Sequence, residues 1–210
     1  MSIINKFIST KQTVESLSNK TKLIVACKNQ SLDKILPIIN YGHLDFGENK
    51  IQEAYIKWKD FIKVNSSVNL HFLGHLQTNK VSQALEIFSF IHSLDNEKLA
   101  LKLNNEEREQ KKKLKYFIQI NIADEKNKSG ISSNLAPNFI DFCKNELNLN
   151  IIGLMCLPPF NTDPTQYFNK LKVIAFSKKI EHLSMGMSQD YKIAINCGST
   201  HVRVGSAIFN

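Results

Sequence analysis

Leu23-Ile24-Val25-Ala26-Cys27-Lys28 is a short apolar run that stops on a lysine. Such a run reads as a buried parallel strand whose last side chain emerges at the carboxyl end of the sheet. Parallel α/β folds place their chemistry at that end. A lysine desolvated at such a mouth has an amine ready for Schiff-base chemistry with an aldehyde. The other reading of Lys28 is a strand-end lysine that snorkels into water. What stands downstream decides between them.

Further strand-like runs recur at regular intervals: 43–46, 70–73, 88–92, 116–122, 151–156, 182–185 and 201–204. Helical patterns fill the gaps. An amphipathic opening helix is expected over 2–19, and Ser31 is placed to cap a helix over Leu32–Asn40. Ile51, Ala54, Tyr55, Trp58 and Ile62 recur at helical spacing and read as core packing. A long polar helix is expected to run to Lys113, and Ser133 to cap a helix with Pro137 in its first turn. Eight strands alternating with helices predict a single (β/α)8 TIM barrel over residues 1–210, α/β in class. A doubly wound open sheet is the competing fold, disfavoured because no Gly-x-Gly-x-x-Gly follows the first strand.

The formal charge of +8 raises nucleic acid as a partner, yet of 27 cationic side chains only Arg108 and Arg203 are arginines. Phosphate and base recognition favour the bidentate guanidinium, and no nucleic-acid motif is present, so no specific nucleic acid is expected. Cys27, Cys143, Cys156 and Cys197 show no metal or CxxC spacing, and no secretory h-region or membrane span is recognisable. These features lead to the expectation of reduced thiols in a cytoplasmic protein with no membrane association.

In a barrel of this kind the loops after the seventh and eighth strands commonly hold phosphate. Here they are Ser184-Met185-Gly186-Met187-Ser188 and Gly205-Ser206-Ala207, rich in small residues that let backbone N–H groups approach an anion. Tight turns alone would use the same glycines. Arg203 shares a strand face with Gly205 and is either a rim salt-bridge partner or a charge facing a ring nitrogen, which it would keep unprotonated. Asn49, His75, His92, Asp95 and Asn121 each stand at or just past a strand end and together would ring one mouth with polar groups. Cys27 alternates with Lys28 and is expected to pack outward against helices.

Ala26-Cys27-Lys28, Phe46-Gly47-Glu48-Asn49, His71-Phe72-Leu73-Gly74-His75, Ile91-His92-Ser93-Leu94-Asp95, Lys128-Ser129-Gly130 and Val202-Arg203-Val204-Gly205-Ser206 recur in order along nearly the whole chain. This set resembles the YggS/PROSC family of pyridoxal phosphate homeostasis proteins. The resemblance implies a barrel like the N-terminal domain of alanine racemase, with pyridoxal 5′-phosphate (PLP) carried as an aldimine on Lys28. It further implies that Arg203 approaches the pyridine nitrogen, that Ser184, Gly205 and Ser206 bind phosphate, and that Asn49 and His75 border the cofactor. Cys27, Leu70 and His201 depart from residues common in the family, and His201 is expected to alter the polarity of the mouth.

Two functions follow. The resemblance implies a PLP carrier in intracellular homeostasis, without turnover, acting as a monomer in transient contact with PLP-dependent apoenzymes. The alternative is a PLP-dependent amino-acid racemase. Two-base racemisation needs an acid–base group on each side of Cα, and the expectation is that no second domain supplies one, which leaves a dimer partner as its source.

Overall fold

Backbone N–H and C=O groups on a buried strand must be paired, and in this chain the pairing closes on itself. The computed structural model describes residues 1–126 and 128–210. Its strands are β1 (Lys22–Ala26), β2 (Asp45–Glu48), β3 (Asn69–Phe72), β4 (Phe90–Leu94), β5 (Lys115–Asn121), β6 (Ile131–Ser132), β7 (Ile151–Cys156), β8 (His182–Met187) and β9 (His201–Val204). All pairings are parallel, in the order β4-β3-β2-β1-β9-β8-β7-β5, and β4 also pairs with β5. The ring of eight is therefore closed, and the open sheet is ruled out by β4 pairing with β5, Phe90 opposite Lys115, while β1 pairs with β9, Ile24 opposite Arg203. Two-residue β6 only flanks β5.

Helices α1 (Ile3–Leu17), α2 (Leu32–Asn40), α3 (Ile51–Val64), α4 (Val81–Ile87), α5 (Glu97–Gln110), α6 (Ala136–Asp141), α7 (Thr165–Ser177), α8 (Tyr191–Asn196) and α9 (Ser206–Phe209) complete the chain. The crossovers α2 to α8 connect successive barrel strands, while α1 packs against α8 and α9. Among the described residues no helix is long and apolar enough to cross a membrane. Two expected caps differ. Ser31 sits at the N-cap of α2 without a side-chain hydrogen bond. Ser133 stays outside α6, its N–H donating to Asp124 Oδ1 at 3.1 Å, although Pro137 does enter the first turn of that helix.

Most of the apolar core lies between barrel and helices, where Trp58 of α3 is fully buried with its ring 5.5 Å from Phe46. The barrel interior is different. Phe90, Phe117 and Met155 form a small apolar cluster there, and His71, His92, Ser184, His201 and Arg203 fill the space beside it, all buried. Gly153 makes room for Phe117, since a Cβ at 153 would stand 2.3 Å from that ring and 2.7 Å from His182 O.

The Gly153→Ala variant is therefore expected to lose about 2 kcal/mol through overpacking inside the barrel. Urea unfolding measures it, and an unchanged midpoint would show that Phe117 has room to move.

Candidate functional site

Strand β1 ends at Ala26, and the ladder continues one step further through Cys27 N–H donating to Gly47 O at 2.9 Å. Lys28 follows in a turn, beside Asn29 with φ of 60°. Its side chain is exposed, as in the reading of a strand-end lysine that reaches water. Cys27 points the other way, as its alternation with Lys28 requires, and is fully buried with Sγ 3.2 Å from Glu48 Oε1. Burial, then the neighbouring Glu48 charge, pushes the thiol well above its ordinary range, which leaves a poor nucleophile. Lys57 of α3 pairs with Glu48 Oε1 at 2.7 Å and donates to Cys27 O at 3.1 Å, while Trp58 Nε1 donates to the same carboxylate oxygen at 2.9 Å. A buried ion pair thus tethers the backbone one residue before Lys28.

Two adjoining cavities, each about 490 Å³, open at the carboxyl ends of the strands and share Ala26, Lys28, Met187 and Arg203. One extends toward Asn49, His75, Asn121 and Lys128. The other extends toward Ser188, Asp190, Gly205 and Ser206. Lys28 and Arg203 stand where the two meet.

Arg203 is only 5% exposed, and its hydrogen bonds explain how a guanidinium survives there. Nη1 donates to Ser184 O at 2.7 Å and to Ser184 Oγ at 2.6 Å, and Nη2 donates to Cys156 O at 3.1 Å. A guanidinium has five N–H donors, so two are left over from these three bonds on a residue that borders both cavities. Burial lowers the group to about 10, and it stays cationic at neutral pH.

Ser184 requires a correction. Its side chain is fully buried inside the barrel, with Oγ between Arg203 and His92 Nδ1, the latter at 2.9 Å, and not at the mouth with an anion. The reason is strand parity. Between Ser184 and Met187 the β8–β9 register slips by a residue, with Gly186 at φ of 95°, and this bulge turns the chain outward only beyond Ser184. Ser188 comes to the mouth instead. Its Oγ accepts from Gly205 N at 3.2 Å and from Ala207 N at 3.3 Å. Gly205 is required as glycine, because a Cβ would lie 2.7 Å from Ala26 O.

The polar ring at the mouth is also smaller than expected. His92 belongs to the barrel interior, fully buried, and His201 lies below Arg203 with its ring 5.1 Å from Phe117, away from the mouth. Asn49 borders the cavity with a buried Oδ1 that has no hydrogen-bond partner among the described residues. His75 is 58% exposed and 4.0 Å from Asp95 Oδ2. Asp95 itself accepts from Gly130 N at 3.3 Å and Asn96 Nδ2 at 2.7 Å. Ser188, Lys57 and Glu48 belong to the site without any strand-end pattern in the sequence that singles them out. Ser188 lies in the same loop as Ser184, and which serine reaches the mouth depends on the bulge.

The family of alanine racemase N-terminal domains matches residues 10–210, which defines the class of fold and places the lysine-bearing mouth within it. Two relatives, the pyridoxal phosphate homeostasis proteins of Pasteurella multocida and Haemophilus influenzae, are 36% and 35% identical over 94% and 100% of this chain and 89% and 93% of theirs. This chain belongs to that family of pyridoxal phosphate homeostasis proteins. Among solved structures, PipY of Synechococcus elongatus without PLP and with PLP bound gives TM-scores of 0.92 and 0.90, at 28% and 27% identity over 100% of both chains. Alanine racemase from Corynebacterium glutamicum shares the fold, with 14% identity, a TM-score of 0.71 and 98% of this chain matched to 60% of that one.

Four buried histidines make the fold sensitive to acid. Burial lowers His43 to about 4 and His201 to about 2, and pushes His71 and His92 down as well. Each is neutral in the folded chain and binds a proton on unfolding below its ordinary value of about 6.5. Stability is thus complete above that pH and falls as the pH drops toward 4, by up to about 1.4 kcal/mol per pH unit for each histidine. Urea midpoints measured between pH 7 and 4 check this, and a flat profile would contradict it.

Proposed function

We propose that this chain binds PLP at the barrel mouth, holds it covalently through the Lys28 amine, and serves PLP homeostasis without turnover. The observation that carries the reading is the convergence of Lys28, the two Arg203 N–H groups left uncommitted among the described residues and the small-residue turns of Ser188 and Gly205-Ser206 on shared cavity space. The naming of its relatives and the PLP-bound PipY structure support it. Bound PLP supplies an aldehyde that a lysine amine captures and a pyridine ring whose electron demand depends on protonation of its nitrogen.

Each residue then has a task. Arg203 offers N–H donors to the ring nitrogen and, staying charged, keeps a proton off it, which weakens the ring as an electron sink. The Gly205-Ser206 turn and the Ser188 and Ser206 hydroxyls receive the phosphate, with the Gly205 and Ala207 amides holding Ser188 Oγ so that its O–H is left to donate. Ser184 acts on the ring only through Arg203. Asn49 and His75 border the cofactor from the β2 and β3 side, and Asn49 Oδ1, unpaired among the described residues, is an acceptor that a bound ligand would satisfy.

The exposure of Lys28 suits a carrier, because it leaves the linkage open to an incoming amine. We place the protein in the cytoplasm as a monomer that meets PLP-dependent apoenzymes transiently. A racemase would need a second acid–base group facing Lys28. His75 and Lys128 border that side of the cavity, with Glu48 already paired to Lys57, and His75 is more than half exposed. Amino-acid racemisation faster than with free PLP would overturn the carrier reading.

The PLP-treated protein is expected to absorb near about 420 nm and Lys28→Ala to lose that band, because the lysine provides the nucleophile. Ser188→Ala and Ser206→Ala are each expected to weaken PLP binding about tenfold, the loss of one hydrogen bond to a charged group. Absorbance titration reads both, and an unchanged Lys28→Ala spectrum would refute the assignment.

A further inference from the structure

A file of hydrogen bonds runs through the barrel from the mouth to its opposite end. Arg203 Nη1 donates to Ser184 Oγ at 2.6 Å, and Ser184 Oγ lies 2.9 Å from His92 Nδ1. His92 Nε2 lies 3.0 Å from His71 Nδ1, and His71 Nε2 lies 3.0 Å from Asp45 Oδ1. Five strands contribute one residue each: β9, β8, β4, β3 and β2. Ser184, His92 and His71 are fully buried, whereas the Asp45 side chain is 19% exposed at the first residue of β2. The imidazoles are held in place by their neighbours, His71 stacked on Phe90 at 4.2 Å and His92 on Phe117 at 4.1 Å. Among the described residues no group of histidines, cysteines and carboxylates is arranged to hold a metal ion.

Counting protons fixes the direction of the file. Arg203 has no acceptor, an ionised Asp45 has no donor, and a neutral imidazole has one N–H. His71 must therefore carry its proton on Nε2 to reach Asp45, which makes its Nδ1 an acceptor for His92 Nε2–H. His92 Nδ1 then accepts from the Ser184 hydroxyl, whose oxygen accepts from Arg203. Each link is used once and in one direction. The reverse order would require Asp45 to donate and would aim two N–H groups at the Ser184 oxygen. Burial pushes both histidines below their ordinary value, toward the neutral form that the file requires.

We propose that Asp45, His71, His92 and Ser184 are positioning residues for Arg203, and that their one-way file couples the setting of the mouth to a carboxylate at the far end of the barrel. The consequence for PLP rests on the function proposed above, while the direction of the file does not. Asp45 is faced by Lys22, His43 and Asn69, whose Nδ2 donates to Asp45 Oδ1 at 3.3 Å. His71 is faced by Lys22 and Lys115, and His92 by His201 and Arg203. His201 is in turn faced by His71, His182, Lys22 and Asp45.

Nitrogen NMR of the full chain labelled with ¹⁵N-histidine, at neutral pH and without PLP, tests the direction. Both Nδ1 atoms of His71 and His92 are expected to resonate as unprotonated and both Nε2 atoms as protonated. Asp45→Asn is expected to give mixed tautomers at both rings and, after PLP loading, to displace the absorbance maximum while the cofactor stays on Lys28. Asp45→Glu is expected to restore the wild-type pattern. Ser184→Ala removes an uncharged link and should free His92 Nδ1 and displace the band likewise, so the test survives if Asp45→Asn does not fold. A proton on His92 Nδ1 in the wild type, or an unmoved band in both Asp45→Asn and Ser184→Ala, would overturn the proposal. Failure of the wild type to take up PLP would strike the proposed function instead and leave the NMR result standing.

Discussion

A guanidinium buried beneath an open mouth is the constraint on which this structure turns. Desolvating a cation is costly unless its donors are matched, and Arg203 is matched by two strand carbonyls and one hydroxyl. Those acceptors belong to β7 and β8, so Arg203 of β9 joins three adjacent strands of the ring at the level of the cavity floor. Its remaining donors have little freedom of direction. Closure of the barrel sets this geometry, since Ile24 of β1 pairs opposite Arg203 and brings the Lys28 turn alongside.

The same closure explains why small shifts in register matter for chemistry. Strand parity alone carries Ser184 into the interior, where it serves the arginine. The bulge at Gly186 then delivers Ser188 to the mouth, where its hydroxyl already meets the Gly205 and Ala207 amides. Behind Lys28, the Glu48–Lys57 pair and the Trp58 N–H hold the backbone of Cys27 from the outside of the barrel. Lys28 therefore combines an anchored backbone with an exposed side chain, a pairing that fits capture and release of an aldehyde better than its permanent enclosure.

Much of this was legible in the residues. Apolar runs at regular intervals mark eight strands, and the helical spacing of Ile51, Ala54 and Trp58 marks a face packed in the core, because the burial of apolar side chains away from water dictates both periods. Lys28, Arg203 and the glycine-containing turns were visible because their residue types are conspicuous at strand ends. The interior was not. Their residue types and strand-end positions point Ser184, His92 and His201 to the mouth, yet they lie deeper, since depth along a tilted, staggered strand depends on register with neighbours that only closure supplies. A bulge likewise leaves little trace beyond one glycine, and the Glu48–Lys57 pair joins a strand to the helix that packs over it.

The most direct measurement is covalent. The full chain saturated with PLP, reduced with borohydride, digested and mapped by mass spectrometry is expected to carry the pyridoxyl label on Lys28. A label confined to other lysines, or no label on a folded chain, would contradict the account.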